Sequence, residues 1–178
     1  ASAYNVPGKV VDIPGMLADE YEAIMIIADS KRYKKYYRAV MNSPIPFLFV
    51  DTEADISSFK RITLPIDLRK GNSDTALWGS YFGRFNRSEI FIVAANHKGR
   101  HEKKQVARNI ALAKSLMRKF GVNHKIFKGR RSSFRIAFEA MEFGLSSQCD
   151  MFVLLGSSVI TPLDRLLGMP EHKIIKQS

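Results

Sequence analysis

The sequence predicts an α/β protein with an open, mainly parallel twisted sheet and helices on both faces. Three observations carry this. Short apolar runs such as 62–66, 90–94 and 151–155 lack polar alternation, which marks strands buried on both faces. Between them lie longer segments whose apolar residues recur at helical spacing, with charges opposite. Strand and helix alternate four times over 60–178, a rhythm that implies parallel strands joined by right-handed crossovers.

Composition narrows the class. With 178 residues, 46% of them hydrophobic, the chain can bury a core and is not of the disordered type. No apolar run approaches the roughly 20 residues that span a bilayer. The first residues lack the basic flank and apolar centre of a signal peptide. The single cysteine, Cys149, allows no internal disulfide and fits a reducing cytoplasm, the expected location. It just precedes an apolar strand, so packing is its expected role.

Taken in order, 9–13 (KVVDI) reads as a short strand, broken by Pro14 and Gly15 and followed by a brief helix over 16–21. A second strand is expected at 23–28. Segment 31–41 sets Tyr33, Tyr36, Tyr37 and Val40 against Lys31, Lys34, Lys35 and Arg38, a helix whose apolar side covers a sheet. Asn42, Ser43 and Pro44 stop it. Residues 45–50 (IPFLFV) make a third strand, with Pro46 tolerable only near its start or on an edge. Residues 52–59 read as a linker.

The second half opens with a strand at 62–66 that ends at Asp67. After a polar loop holding Gly71, Ser73 is expected to cap a helix over 75–85, with Ala76, Leu77, Tyr81 and Phe85 on one face. Strand 90–94 leads to the longest helix, 99–120, striped by Val106, Ile110, Ala113 and Met117 and closed by Gly121. Strand 122–127 and a turn at Gly129 follow. Ser132 or Ser133 then caps a helix running to Phe143, with Ile136, Ala140 and Phe143 inward. The last strand, 151–155, breaks at Gly156, Ser157 and Ser158. Ligands bind at such carboxyl ends, where diverging loops expose backbone N–H groups. Leu163, Leu166 and Leu167 form a further apolar segment, and Pro170 starts a helix with Ile174 and Ile175.

The strand, loop and helix of 150–178 resemble the end of a universal stress protein domain. The opening "ITLPID" and the stretch "FKGRRSSFRIAFEAMEFGLSSQCDMFVLLGSS" extend that resemblance over nearly all of 60–178, and "NSPIPFLFVD" resembles the family's closing strand. The resemblance implies the stress-protein fold, similar to adenine-nucleotide alpha-hydrolases, with strand order 3-2-1-4-5. It also implies that residues 1–51 are the C-terminal half of a first domain. Residues 60–178 are then a second domain lacking its last strand, as in a tandem protein. A circularly rearranged single domain, in which 45–50 supplies that strand, is the alternative.

The family's phosphate loop runs G-x2-G-x9-G-[S/T]. Gly156 matches its first glycine, whereas Val159, Met169 and Pro170 stand at the later positions. What the resemblance implies is a nucleotide site of Pro65, Ile66, Asp67, Gly129, Gly156, Ser157, Ser158 and Thr161. Asp67 would accept from adenine or ribose, with the Gly129 backbone exposed alongside. With those loop positions changed, ATP is expected to bind weakly or not at all, and AMP, adenosine or a free anion to fit better; ATP or AMP binding in the Asp67–Gly156 crevice is the competing reading. The first half carries Ala28, Asp29 and Ser30 where the loop glycine would be, and an aspartate there repels phosphate. The resemblance further implies a non-catalytic regulatory module in the stress response. It pairs with itself through an edge strand, here the one bounded by Ile45 and Val50, which otherwise leaves an apolar edge open.

Catalytic patterns are sparse. His97 and His101 stand at i, i+4 with no Glu or Cys to complete a metal site, so solvated histidines are expected, as for His124 and His172. No Gly-x-Ser-x-Gly or complete P-loop occurs, and an enzyme is not expected. The net charge of +11 is uneven: residues 1–59 carry 6 basic and 8 acidic side chains (−2), and 60–178 carry 22 and 9 (+13). Two groups stand out, Lys98, Arg100, Lys103, Lys104 and Arg108, then Lys125, Lys128, Arg130, Arg131 and Arg135. A shared face for both would suit nucleic-acid backbone, although no aromatic platform for stacking bases interleaves with them; a solvated surface is the plainer reading.

Overall fold

The computed structural model describes residues 8–51, 53 and 59–156. The chain forms two compact units, Ala1–Asp55 with Gly156–Ser178, and Ile56–Leu155. Serines 157 and 158, Thr161 and the helix expected from Pro170 lie outside the described residues.

In the first unit the expected strand at 9–13 is absent. A turn closed by Asp12 N–H on Lys9 O (2.9 Å) leads instead into helix α1, Ile13–Tyr21. Pro14 does not break this helix, because in the first turn its missing N–H has no partner to lose. Strand β1, Ile26–Asp29, starts three residues later than expected and pairs in parallel with β2, Phe47–Val50. Between them a 3-10 turn, Ser30–Arg32, is capped by the Asp29 carboxylate, which accepts the Lys31 N–H at 2.9 Å. Helix α2, Tyr33–Met41, then lays Tyr33 and Ala39 inward, with Tyr36, Tyr37 and Val40 half-buried. The Tyr33 ring meets Phe49 edge-on at 5.1 Å, so this helix does cover a sheet.

The second unit holds the predicted parallel sheet. Strand β3, Arg61–Ile66, is followed by α3 (Asn72–Asn86), β4 (Glu89–Ala94), α4 (Arg100–Lys119), β5 (His124–Lys128), α5 (Ile136–Ser146) and β6 (Met151–Phe152). Every pairing is parallel and the order is β5-β4-β3-β6. Numbered within this unit that is 3-2-1-4, as expected, with Ile62 opposite Met151 and Thr63 opposite Phe152.

Strand β6 is shorter than its apolar run. Val153 N–H still donates to Thr63 O at 2.9 Å. The next rung of a parallel ladder needs the N–H of residue 65, and Pro65 has none, so β3 and β6 stop pairing there. At the other end Asp150 fixes the register, its carboxylate accepting the N–H groups of Lys60 and Arg61 at 2.7 and 2.8 Å.

One face of the sheet buries Ile62, Leu64, Ile66, Ile90 and Ile92 against Ala76 of α3 and Ala113 and Met117 of α4. The other face packs Val93 against Ile136 and Ala140 of α5. There Phe91, Phe127 and Phe143 form an aromatic cluster with centroids 4.5 to 5.9 Å apart. The stripe on α4 is the predicted one, with Val106, Ala113 and Met117 buried and Ile110 half-buried. Gly121, at φ +66°, ends the helix in a Schellman turn, with Val122 N–H on Met117 O and Gly121 N–H on Arg118 O.

Of the four residues expected on the inward face of α3, Ala76 alone is fully buried. Ala76, Gly79, Ser80 and Gly83 point inward, while Tyr81 and Phe85 are exposed and Leu77 is half-buried. The small residues let the helix close on the sheet; a Cβ on Gly83 would stand 2.6 Å from Val122 Cγ1. Ser73 does not cap α3, which starts at Asn72; its hydroxyl donates to Lys70 O at 3.3 Å. Nor does Ser132 or Ser133 cap α5.

Leu64→Ala, at the buried centre of β3, is expected to cost about 2–5 kcal/mol in a denaturant melt, the range for a large-to-small core change. Leu154→Ala is expected to cost less, since Leu154 is half-buried and Val153 takes the core position.

Candidate functional site

The switch point of the sheet lies between β3 and β6, because successive crossovers leave β3 in opposite directions. Asp67 ends β3 there and is 1% exposed. Both of its carboxylate oxygens are taken by the chain. Oδ1 accepts the Arg69 N–H at 2.8 Å and the Asn72 Nδ2 at 2.9 Å, and Oδ2 pairs with Arg69 Nε at 2.7 Å. A buried carboxylate requires such partners, since unpaired it costs several kcal/mol.

The loop backbone is secured as well. Asn109, from the inward side of α4, donates through Nδ2 to Asp67 O at 2.8 Å and to Arg69 O at 3.1 Å. Arg69 extends past the aspartate and donates from Nη1 to Leu155 O at 3.3 Å, so one guanidinium joins the carboxyl ends of β3 and β6. Its side chain remains 39% exposed and presents positive charge between the ends of the two strands it joins.

The ends of β4 and β5 are closed by a second set of contacts. Ser133 Oγ stands 2.8 Å from His97 Nε2 and accepts the Leu68 N–H at 3.2 Å. The Ser133 N–H also points at Nε2, at 3.2 Å; a backbone N–H can only donate, so Nε2 is the acceptor. The serine and histidine therefore clasp three loops together. Among the described residues no carboxylate hydrogen-bonds this imidazole. Nearby, Glu139 from the first turn of α5 receives the N–H groups of Arg130 (2.8 and 3.0 Å) and Arg131 (2.8 Å). Successive N–H groups of this kind form an anion-binding hollow, and here the chain's own carboxylate fills it.

The expected site residues fall as follows. Pro65 and Ile66 are buried in β3, opposite Val93 and Ala94. Gly129 is buried rather than exposed, and its N–H donates to Ala94 O at 2.8 Å. Gly156, an exposed residue, is the last one described. His97 is not simply solvated, being bound to Ser133, whereas His101 is exposed. Among the described residues no three His, Cys, Asp or Glu side chains gather as a metal site, and no helix is long and apolar enough to cross a membrane.

Arg69, Asn72, Asn109 and Glu139 escaped the sequence reading. Only Asn109 left a signal there, an amide within the apolar stripe of Val106, Ile110 and Ala113. Of the two basic groups, the second is partly neutralised, with Lys125 paired to Glu89 at 2.8 Å and Arg131 to Glu142 at 3.1 Å.

No family model and no curated protein matches the chain. Solved structures do. A universal stress protein in complex with cAMP aligns with 68% of this chain and 92% of its own, at 13% identity and a TM-score of 0.53. A universal stress protein from Archaeoglobus fulgidus DSM 4304 aligns with 95% of this chain and 62% of its own, at 12% identity and a TM-score of 0.67. The likeness is one of fold: the chain has the α/β architecture of universal stress proteins, with a parallel sheet flanked by helices.

Cys149 offers a test of the packing around Asp150. Burial first, and the Asp150 carboxylate second, push its thiol up from 9.0 to about 11. At neutral pH it is therefore protonated, and alkylation by iodoacetamide is expected to be slow in the native protein and fast once the chain unfolds. Between pH 9.0 and about 11 the unfolded chain loses this proton before the folded one does, so stability falls as pH rises through that window. A native thiol as reactive as the unfolded one would place Cys149 outside the packed region.

Proposed function

We propose that this protein is a non-catalytic regulatory module of the stress-protein type, which binds a small adenine monophosphate at the β3/β6 switch point and binds ATP weakly or not at all. One observation carries this reading: the exposed guanidinium of Arg69 stands in the gap between the two strand ends, already oriented by the buried Asp67. A fixed guanidinium suits a single phosphate, which it can meet with two parallel hydrogen bonds. The cAMP-bound protein of the same fold supports the choice of ligand class. Val159, Met169 and Pro170 argue against a triphosphate, because they remove two glycines and a hydroxyl from the family's loop pattern.

In this reading Asp67 orients the arginine and does not itself accept from adenine or ribose. Ser157, Ser158 and Thr161 remain candidate hydroxyl donors on the sequence alone. The near-complete alignment with the Archaeoglobus fulgidus structure supports a tandem arrangement, with 1–51 as part of a first domain and 60–178 as a second. Self-association through the strand bounded by Ile45 and Val50, and a cytoplasmic location, complete the proposal.

Titration calorimetry with AMP, cAMP and ATP tests this. AMP or cAMP is expected to bind in the range from about 10 μM to 1 mM, with ATP weaker, and Arg69→Lys to lower monophosphate affinity about tenfold, or 1.4 kcal/mol. ATP binding tighter than about 1 μM would sink the proposal, as would the absence of heat with all three nucleotides.

A further inference from the structure

We infer that the outward surface of α3 and α4 binds single-stranded nucleic acid, with Tyr81 and Phe85 stacking on bases and Arg84, Arg87, Arg118 and Lys119 meeting phosphates. This surface lies at the amino ends of β4 and β5, at the opposite end of the strands from Arg69. It goes beyond the nucleotide reading and does not depend on it.

The rings come first. Phe85 is 80% exposed, although its spacing on α3 is that of a core residue. Tyr81, 38% exposed, stands edge-on to Trp78 of its own helix at 5.9 Å and to Phe120 at the end of α4 at 5.2 Å. Packing therefore holds one exposed ring in place across two helices, and a second projects one turn further on. A free π-face is what an unpaired base stacks on, whatever its identity.

The charges point to the same partner. Arg84, Arg87 and Phe120 line one open hollow of about 250 Å³ with Gly121 and Asn123, and no acid lines it. Among the described residues, no ion pair engages Arg84, Arg87, Arg118 or Lys119. The sequence contains no acid from Thr75 to Ser88 or from Lys103 to Lys128. Basic residues in a last helical turn commonly offset the helix dipole, which accounts for Arg84, Arg118 and Lys119. It does not account for Arg87, which follows α3 in the left-handed conformation, or for the exposed ring of Phe85. Interleaved rings and unpaired cations favour a flexible single strand over a duplex, whose bases are already stacked.

Fluorescence anisotropy with a labelled oligothymidylate of about 20 nucleotides, and a mixed-sequence duplex of equal length, reads this out on the full chain. With all four cations engaged, single-strand affinity is expected to drop roughly 50-fold between about 50 and 200 mM salt. Phe85→Ala is expected to weaken single-strand binding about tenfold and leave duplex binding unchanged. The pair Arg84→Glu and Arg87→Glu is expected to abolish binding. These side chains are exposed, so an unchanged thermal melt certifies the fold of each variant. No binding at about 50 mM salt overturns the inference. So does equal affinity for the duplex with no effect of Phe85→Ala, which would describe a charged surface without base stacking.

Discussion

The ion pair between the Asp67 carboxylate and the Arg69 guanidinium is the contact on which the carboxyl edge of the sheet depends. A carboxylate this deeply buried demands partners, and the demand recruits three parts of the chain. Arg69 and Asn72 come from the adjoining loop and helix start, and Asn109 comes from α4 to hold the loop carbonyls. Through Arg69 the end of β6 joins the same set. The loop is therefore rigid because its charge must be satisfied, and rigidity at a strand end is what orients a group for a ligand.

Glu139 solves a neighbouring problem in the same manner. The loop after β5 turns two backbone donors toward one point, and donors left without an acceptor are costly. The carboxylate on α5 supplies the acceptor and anchors the helix to the loop. Both ends of the carboxyl edge are thus completed by charged side chains of the protein. The two differ in one respect: the Asp67 pair leaves a cation facing outward, whereas Glu139 leaves its donors spent.

Much of this architecture was legible in the sequence, for a physical reason. Strands such as Ile90–Ile92 and Leu64–Ile66 are buried on both faces, so apolar runs without alternation mark them, and the strand order is the one that the stress-protein resemblance implies. Legibility failed where one pattern serves two structures. The run at 9–13 is β-branched and apolar, yet Pro14 also suits a helix start, and the helix prevailed. On α3 the aromatic spacing competed with Gly79 and Gly83, and close approach to the sheet decided in favour of the small residues. Ser73 and Ser133 sit where caps sit, but their hydroxyls serve loops. Asp67 was found as a strand-end carboxylate; that its partner lies only two residues away is a matter of side-chain geometry, which no spacing encodes.

Proline in a central strand is usually a fault, since a neighbouring strand loses a rung. Here the lost rung falls where β3 and β6 separate, so the ladder ends by chemistry and no other element has to wedge it open. The consequence is kinetic. Backbone pairing that never forms does not have to melt for a small molecule to pass, and melting of strands belongs to the slow, microsecond-to-second class of motions. What stands between the strand ends is the guanidinium of Arg69, held by the Asp67 carboxylate and by Leu155 O, so no strand has to part before a ligand meets it. A single missing hydrogen thereby leaves this opening ready before any ligand arrives, while the sheet around it stays shut.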